Sequence, residues 1–159
     1  MKITAQEEYG LRILRRIARG QDNNGMSIPQ LSDAEGLTAG DVAKLTRKLR
    51  VEGYINSTPG NKGGYVLAMA PCDINMNQVL KTLGGPLFDK SFCGDYSGSL
   101  KFCTNSVDCS VRSLWQMVKF SVDQLLDKIM LSDLISSGEK SNQILNAILE
   151  ANLRNVSLK

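Results

Sequence analysis

The chain has 159 residues, 42% of them hydrophobic, with 19 Lys and Arg against 16 Asp and Glu and no histidine. That length suits one compact domain or a small domain with an appendage, and the apolar fraction is enough for a core. No run of about eighteen apolar residues exists, so no membrane-spanning helix is expected. The opening stretch, Met1 to Glu8, lacks an apolar signal core and carries two acids, which argues against a signal peptide and for a cytoplasmic location. The net charge of +3 is unevenly placed. All of the excess lies in residues 1–70, with ten basic against seven acidic side chains, while residues 71–159 balance.

Residues 6–19 read as a helix. Tyr9, Ile13, Leu14, Ile17 and Ala18 recur at helical spacing, and Arg12, Arg15, Arg16 and Arg19 crowd the other side. Those arginines fit either a solvated face or a role facing phosphate or a cofactor. Ser27 and Gln30 make a capping box with Pro29 at an early helical position, Leu31 and Ala34 are expected inward, and Gly36 ends the helix. Thr38 and Asp41 open a third helix with an apolar stripe of Val42, Leu45 and Leu49. Lys44, Arg47, Lys48 and Arg50 project from it. Two helices joined by a short turn at Gly36 and Leu37 form a helix-turn-helix, whose second helix enters a major groove.

Residues 53–58 and 65–68 are strand-like and flank a glycine-rich tip, Gly60 to Gly64. A hairpin behind a helix-turn-helix is a wing, so residues 1–70 are expected to be a winged-helix DNA-binding domain. The small tip would let backbone approach phosphates or a minor groove. Candidate DNA contacts are Gln30 and Thr38 at helix starts, Lys44, Arg47 and Lys48 on the third helix, and Asn61, Lys62, Gly63 and Gly64 in the wing.

Residues 71–109 are expected to hold a joint, a short helix capped by Asn75 with Met76, Val79, Leu80 and Leu83 buried, and then a loop bearing Cys93, Cys103 and Cys109. Three thiols at this spacing suit one soft cation or one iron–sulfur cluster. Without histidine, a fourth ligand must be a carboxylate, a water, Cys72 or a group from another chain. Ser106 or Asp108 is expected to cap the following helix, which would place Cys109 at its positive end. Cys72, beside Pro71, reads as a small, partly buried residue. Residues 110–135 carry a wide apolar stripe, Val111, Leu114, Trp115, Val118, Val122, Leu125, Leu126 and Ile129. It reads as the longest helix, packed on a second subunit or on the first helix. A break at Ser136 to Gly138 precedes a tail, residues 136–159, with helical patterning from Gln143 to Leu153. The whole reads as mainly α.

Taken together, these residues resemble the Rrf2 family of bacterial regulators. The likeness runs over roughly residues 1–135: Met1 to Thr4, Tyr9 to Arg12, the helix-turn-helix, Gly53 to Ile55, Gly63 to Leu67, Gly84 to Leu87, and three cysteines before a long helix. The resemblance implies a homodimeric winged-helix repressor bound to double-stranded operator DNA. In cluster-binding members the loop cysteines hold an iron–sulfur cluster, 4Fe–4S being favoured here over 2Fe–2S. Its fourth ligand is a histidine near the third cysteine or a first-helix acid of the partner subunit. Glu8 stands at that acidic position with Arg12 one turn later, so the implied metal set is Cys93, Cys103, Cys109 and Glu8, with Glu7, Asp95 and Asp108 as rivals. Two departures stand out. The first two cysteines are further apart than is usual, and Pro59 replaces the arginine that minor-groove readers carry before the wing glycine.

A zinc- or thiol-redox-dependent winged-helix repressor would use the same cysteines. An enzyme acting on a small molecule is disfavoured: there is no C-x-x-C pair, no histidine base and no cleft-like carboxylate pair. A winged helix that binds only protein is the remaining reading.

Overall fold

The structure is a computed structural model; it describes residues 3–20, 25–60, 63–88, 92–97, 99, 103 and 109–157. It is helical apart from one two-stranded antiparallel hairpin, in agreement with the expected class. Helix α1, Ala5–Arg19, starts from a capping box in which the Glu7 carboxylate accepts from the Thr4 backbone and hydroxyl at 2.8 Å each. Helix α2, Ile28–Glu35, starts from the Ser27/Gln30 box and ends at Gly36 in the left-handed region, φ 65°. Helix α3, Ala39–Val51, starts at Thr38, whose hydroxyl accepts from the Asp41 backbone at 3.1 Å. Strands β1, Ile55–Ser57, and β2, Tyr65–Leu67, pair Ile55 with Leu67 and Ser57 with Tyr65. Met26 extends this pairing through mutual backbone hydrogen bonds with Tyr65.

The core sits where these elements meet. Ile13, Leu14 and Ile17 of α1, Leu31 of α2, Val42, Leu45 and Leu49 of α3, and Ile55 of β1 are all buried. Below them lie Ile74, then Met76, Val79 and Leu83 of α4, Met76–Gly84. Leu80 is only half-buried. Ala34 is exposed, contrary to expectation. The face that α2 turns inward is set by Leu31 and Glu35, one turn apart, and Ala34 falls beside it.

All four arginines of α1 are committed, and to protein rather than solvent. Arg12 and Arg16 grip the Glu35 carboxylate at 2.9 and 2.6 Å, with Arg12 also on the Glu35 carbonyl at 2.6 Å. Arg15 donates to the Leu134 carbonyl at 2.9 Å, and Arg19 to those of Ile135 and Ser136. The last two acceptors belong to the end of α7, Leu131–Ile135, and to the residue after it, where carbonyls lack helical partners. Helix ends attract cations for the same reason.

Past Gly84 the chain turns through Gly85 and Pro86. Cys93 lies in a short helix, α5, Phe92–Asp95, and not in open loop as expected. Helix α6, Ser110–Leu126, is anchored at its far end: Asp123 takes Lys81 and Lys119 at 3.2 and 2.5 Å, and buried Asn77 donates to Asp127 at 2.7 Å. Burial pushes the Asp123 carboxyl up, but the hydrogen bonds and charges of Lys119 and Lys81 hold it below its ordinary value. The longest helix is not α6, with 17 residues, but α8, Gly138–Ser157, with 20. The expected break is confined to Ser136 and Ser137, because Ser137 caps α8 through its hydroxyl and carbonyl. No helix of the described residues is long and apolar enough to cross a membrane.

Candidate sensor pocket and nucleic-acid interface

Cys93, Cys103 and Cys109 line one open, largely apolar pocket of about 1070 Å³. All three are half-buried and free of disulfides; Cys72, expected partly buried, is exposed. Cys109 is itself the cap of α6, its sulfur accepting from the Arg112 backbone at 3.3 Å. Ser106 and Asp108, the expected caps, lie outside the described residues. Arg112 is the group that sequence reasoning missed. Its guanidinium is hydrogen-bonded to Cys93 and lies in the field of Cys93, Cys109 and Cys103, which together hold its proton more tightly than usual. The signal for it was the three-residue step from Cys109, which puts Arg112 on the first turn above the cap.

Aromatic rings wall the other side. Phe88 stacks on Trp115 at 5.3 Å and meets Phe92 edge-on at 5.1 Å, and Phe92 lies 4.8 Å from Tyr96. The pocket thus sets three half-buried thiols and one guanidinium against an apolar, aromatic wall. Among the described residues no three Cys, Asp or Glu side chains are placed to hold a single metal ion.

The acids are placed differently. Glu8 is exposed and does not line the pocket of its own chain, and no hydrogen bond or ion pair engages its carboxylate among the described residues. Glu7 is consumed by the α1 capping box. Asp95 is exposed at the end of α5, and Asp108 lies outside the described residues. No residue of α6 is buried. Val111, Leu114, Met117 and Phe120 are 57, 47, 60 and 63% exposed; of the expected stripe, Val111, Leu114 and Trp115 are exposed, while Val118, Val122, Leu125, Leu126 and Ile129 are half-buried. The helix packs on α4 and α8.

On α3, the candidate recognition helix, the Lys44, Arg47 and Arg50 side chains are exposed and without hydrogen-bond or ion-pair partners among the described residues. They are the uncommitted cations of the described winged helix, and all sit on α3. Lys48, by contrast, donates to the Leu83 carbonyl at 2.8 Å. Gln30 uses its carbonyl oxygen in the α2 capping box, and the Thr38 hydroxyl serves Asp41. Asn61 and Lys62 lie outside the described residues. Gly64 is buried, and a Cβ on either Gly63 or Gly64 would strike backbone. The small size of these two glycines is therefore required by the wing's own packing.

Known proteins agree with this architecture. A family profile described as Rrf2, iron-dependent transcriptional regulator, matches residues 3–137. The protein rrf2 of Nitratidesulfovibrio vulgaris is 30% identical over 138 residues, 85% of this chain and 87% of the relative. Among solved structures, CymR, the global cysteine regulator of Bacillus subtilis, superposes with a TM-score of 0.68 at 26% identity, covering 85% of this chain and 96% of that one. IscR of T. potens superposes with a TM-score of 0.65 at 29% identity, covering 85% and 86%. The winged helix, the thiol-bearing segment and the helix behind it thus lie within one profile of DNA-binding regulators, not of enzymes, and the chain belongs to the Rrf2 family of transcriptional regulators.

Proposed function

We propose that this regulator is a homodimer whose grip on operator DNA is set by an iron–sulfur cluster held by Cys93, Cys103 and Cys109, with Glu8 of the partner subunit as fourth ligand. The observation that supports this reading is that all three thiols line a single pocket that also holds the Arg112 guanidinium. Bound there, the group would supply an iron centre open to oxygen, nitric oxide or iron loss at its carboxylate corner. The chain's own residues supply the rest. Cys109 stands at the N-terminus of α6, and Arg112 would offset the negative charge that three coordinating thiolates bring. Exposed Glu8 is presented for use by a second chain. The bare row Val111, Leu114, Met117 and Phe120 supports pairing of α6 with its copy. Two α3 helices then read half-sites about 34 Å apart, so a small change at the subunit junction alters how well both fit.

Protein prepared without air is expected to be brown and to contain iron, by absorption and Mössbauer spectroscopy. Alanine at any one of the three cysteines should abolish both properties. Glu8→Ala should keep the three sulfur ligands but change the spectrum, and should remove the difference in operator affinity between air-free and air-exposed protein. Colourless protein holding zinc, or metal-free protein whose DNA affinity tracks thiol oxidation, would replace the cluster reading with the zinc or thiol-redox one.

For DNA, Lys44 and Arg47 are the principal contacts to bases and phosphates, with Thr38, Gln30, Asn61 and Lys62 supporting through hydroxyl, amide or ammonium groups; the N–H groups of Gly63 and Gly64 are used within the wing, by the Gly60 carbonyl and the Thr58 hydroxyl. Lys44→Ala and Arg47→Ala should each weaken operator binding by about tenfold and reduce the slope of log affinity against log salt by about one. Anisotropy titrations at several salt concentrations measure both. An unchanged slope in both variants would remove α3 from the phosphate interface.

A further inference from the structure

We infer that Lys48 is a positioning residue for DNA recognition: its ammonium pins α3 to the carbonyl end of α4, at the joint from which the thiol-bearing segment departs. The inference rests on the DNA-binding activity of the family and not on the cluster.

The bond itself is the first observation. Lys48 Nζ donates to the Leu83 carbonyl at 2.8 Å and is partly buried there. Leu83 lies in the last turn of α4, where carbonyls have no helical partner and carry partial negative charge. If Lys48 turned to a phosphate, that acceptor would lose its partner. The other cations of α3, Lys44, Arg47 and Arg50, are exposed.

The second observation is how firmly Leu83 itself is seated. It is 1% exposed. Against it lies Gly10 of α1, where a Cβ would come within 2.5 Å of the Leu83 side chain. One residue on, a Cβ at Gly84 would come within 2.4 Å of the Glu7 side chain. Helix α1 thus closes on the last turn of α4 from one side while Lys48 holds it from the other.

The third observation is where the chain runs after α4. Pro86 and Phe88, two and four residues past Gly84, already line the thiol pocket. The recognition helix is therefore tied by a charge-assisted bond to the root of the sensor segment. A shift of that root moves α3 through Lys48, and a fixed root keeps α3 at one angle.

The probes are an operator selected from a random oligonucleotide pool by the wild-type protein and a random duplex of equal length. Lys48→Met should lose about tenfold in operator affinity, the order of one mismatched base pair, because α3 is no longer held at one angle, while binding to the random duplex and the salt slope stay at wild-type values. Lys48→Arg, which keeps the donor, should restore operator affinity. A phosphate contact would behave otherwise: both duplexes would weaken together and the slope would fall by about one. That result, or wild-type operator affinity in Lys48→Met, overturns the inference. Should Lys48→Met fail to fold, Lys48→Gln carries the same readings. Iron content does not enter either reading, because wild type and variants are compared in the preparation from which the operator was selected.

Discussion

Gly64→Ala is expected to destabilise the protein by about 3 kcal/mol, the upper range for forced overpacking, and to lower the thermal midpoint by roughly 6–12 °C for a chain of this size. A Cβ at residue 64 would lie 2.5 Å from the Met26 carbonyl carbon and 2.7 Å from its nitrogen. Those are backbone atoms, and they cannot swing aside as a side-chain tip could. The same residue donates its N–H to the Thr58 hydroxyl at 2.7 Å and accepts from the Thr58 backbone at 2.8 Å. Accommodating a methyl group therefore means breaking the Met26–Tyr65 pairing or the closing bonds of the hairpin. If the glycine served only to bring backbone near a phosphate, the variant would lose DNA affinity at an unchanged melting temperature. Thermal unfolding measured beside anisotropy separates the two accounts.

Glu35→Ala should cost about 2 kcal/mol and lower operator affinity as well. The Glu35 side chain is 7% exposed and holds two guanidinium groups, so its removal strands Arg12 and Arg16. Both arginines are about two-fifths exposed (39% and 40%), and water screens them, which places the cost below that of a fully buried pair. The loss of affinity comes from position: Glu35 closes α2, and only Gly36 and Leu37 separate it from the cap of α3. The effect depends on pH with a definite sign. Burial pushes the Glu35 carboxyl up, but hydrogen bonds from Arg16 and Arg12, then their charges, bring it below the ordinary 4.5. A carboxyl lowered by folding stabilises above its unfolded value, and that contribution disappears as pH falls through the native value. The gap in unfolding free energy between wild type and Glu35→Ala should be constant near neutrality and narrow below about pH 4.5. A gap that widened in acid would contradict the clasp.

Local signals read well from the sequence. Ser27, Thr38 and Asn75 cap the helices expected of them, because a cap needs only a hydroxyl or amide and the N–H groups of the next turn. The three thiols were also legible as a group, since one short segment carries them all. What escaped depends on distant partners. The arginines of α1 look like a solvated row until α2 and α7 fold against them. Lys48 looks like its neighbours until α4 delivers a carbonyl. Cys109 serving as its own helix cap was missed because a thiol is an uncommon cap, and stronger candidates stood just before it in the sequence. Glu8, named as a ligand only through the family resemblance, does not line the pocket of its own chain.

Helix α1 touches α2, α3, α4, α7 and β2, and two of its arginines reach carbonyls 119 and 116 residues further along. During synthesis those acceptors emerge roughly ten seconds after the arginines, at ordinary elongation rates of about 5–20 residues per second. The nascent helix can bury most of its apolar face once α2, α3 and α4 are made, but Arg15 and Arg19 must wait for α7. A product cut short before residue 134 keeps the Glu35 clasp on Arg12 and Arg16 but leaves Arg15 and Arg19 without their acceptors, so the opening helix is held on one flank only.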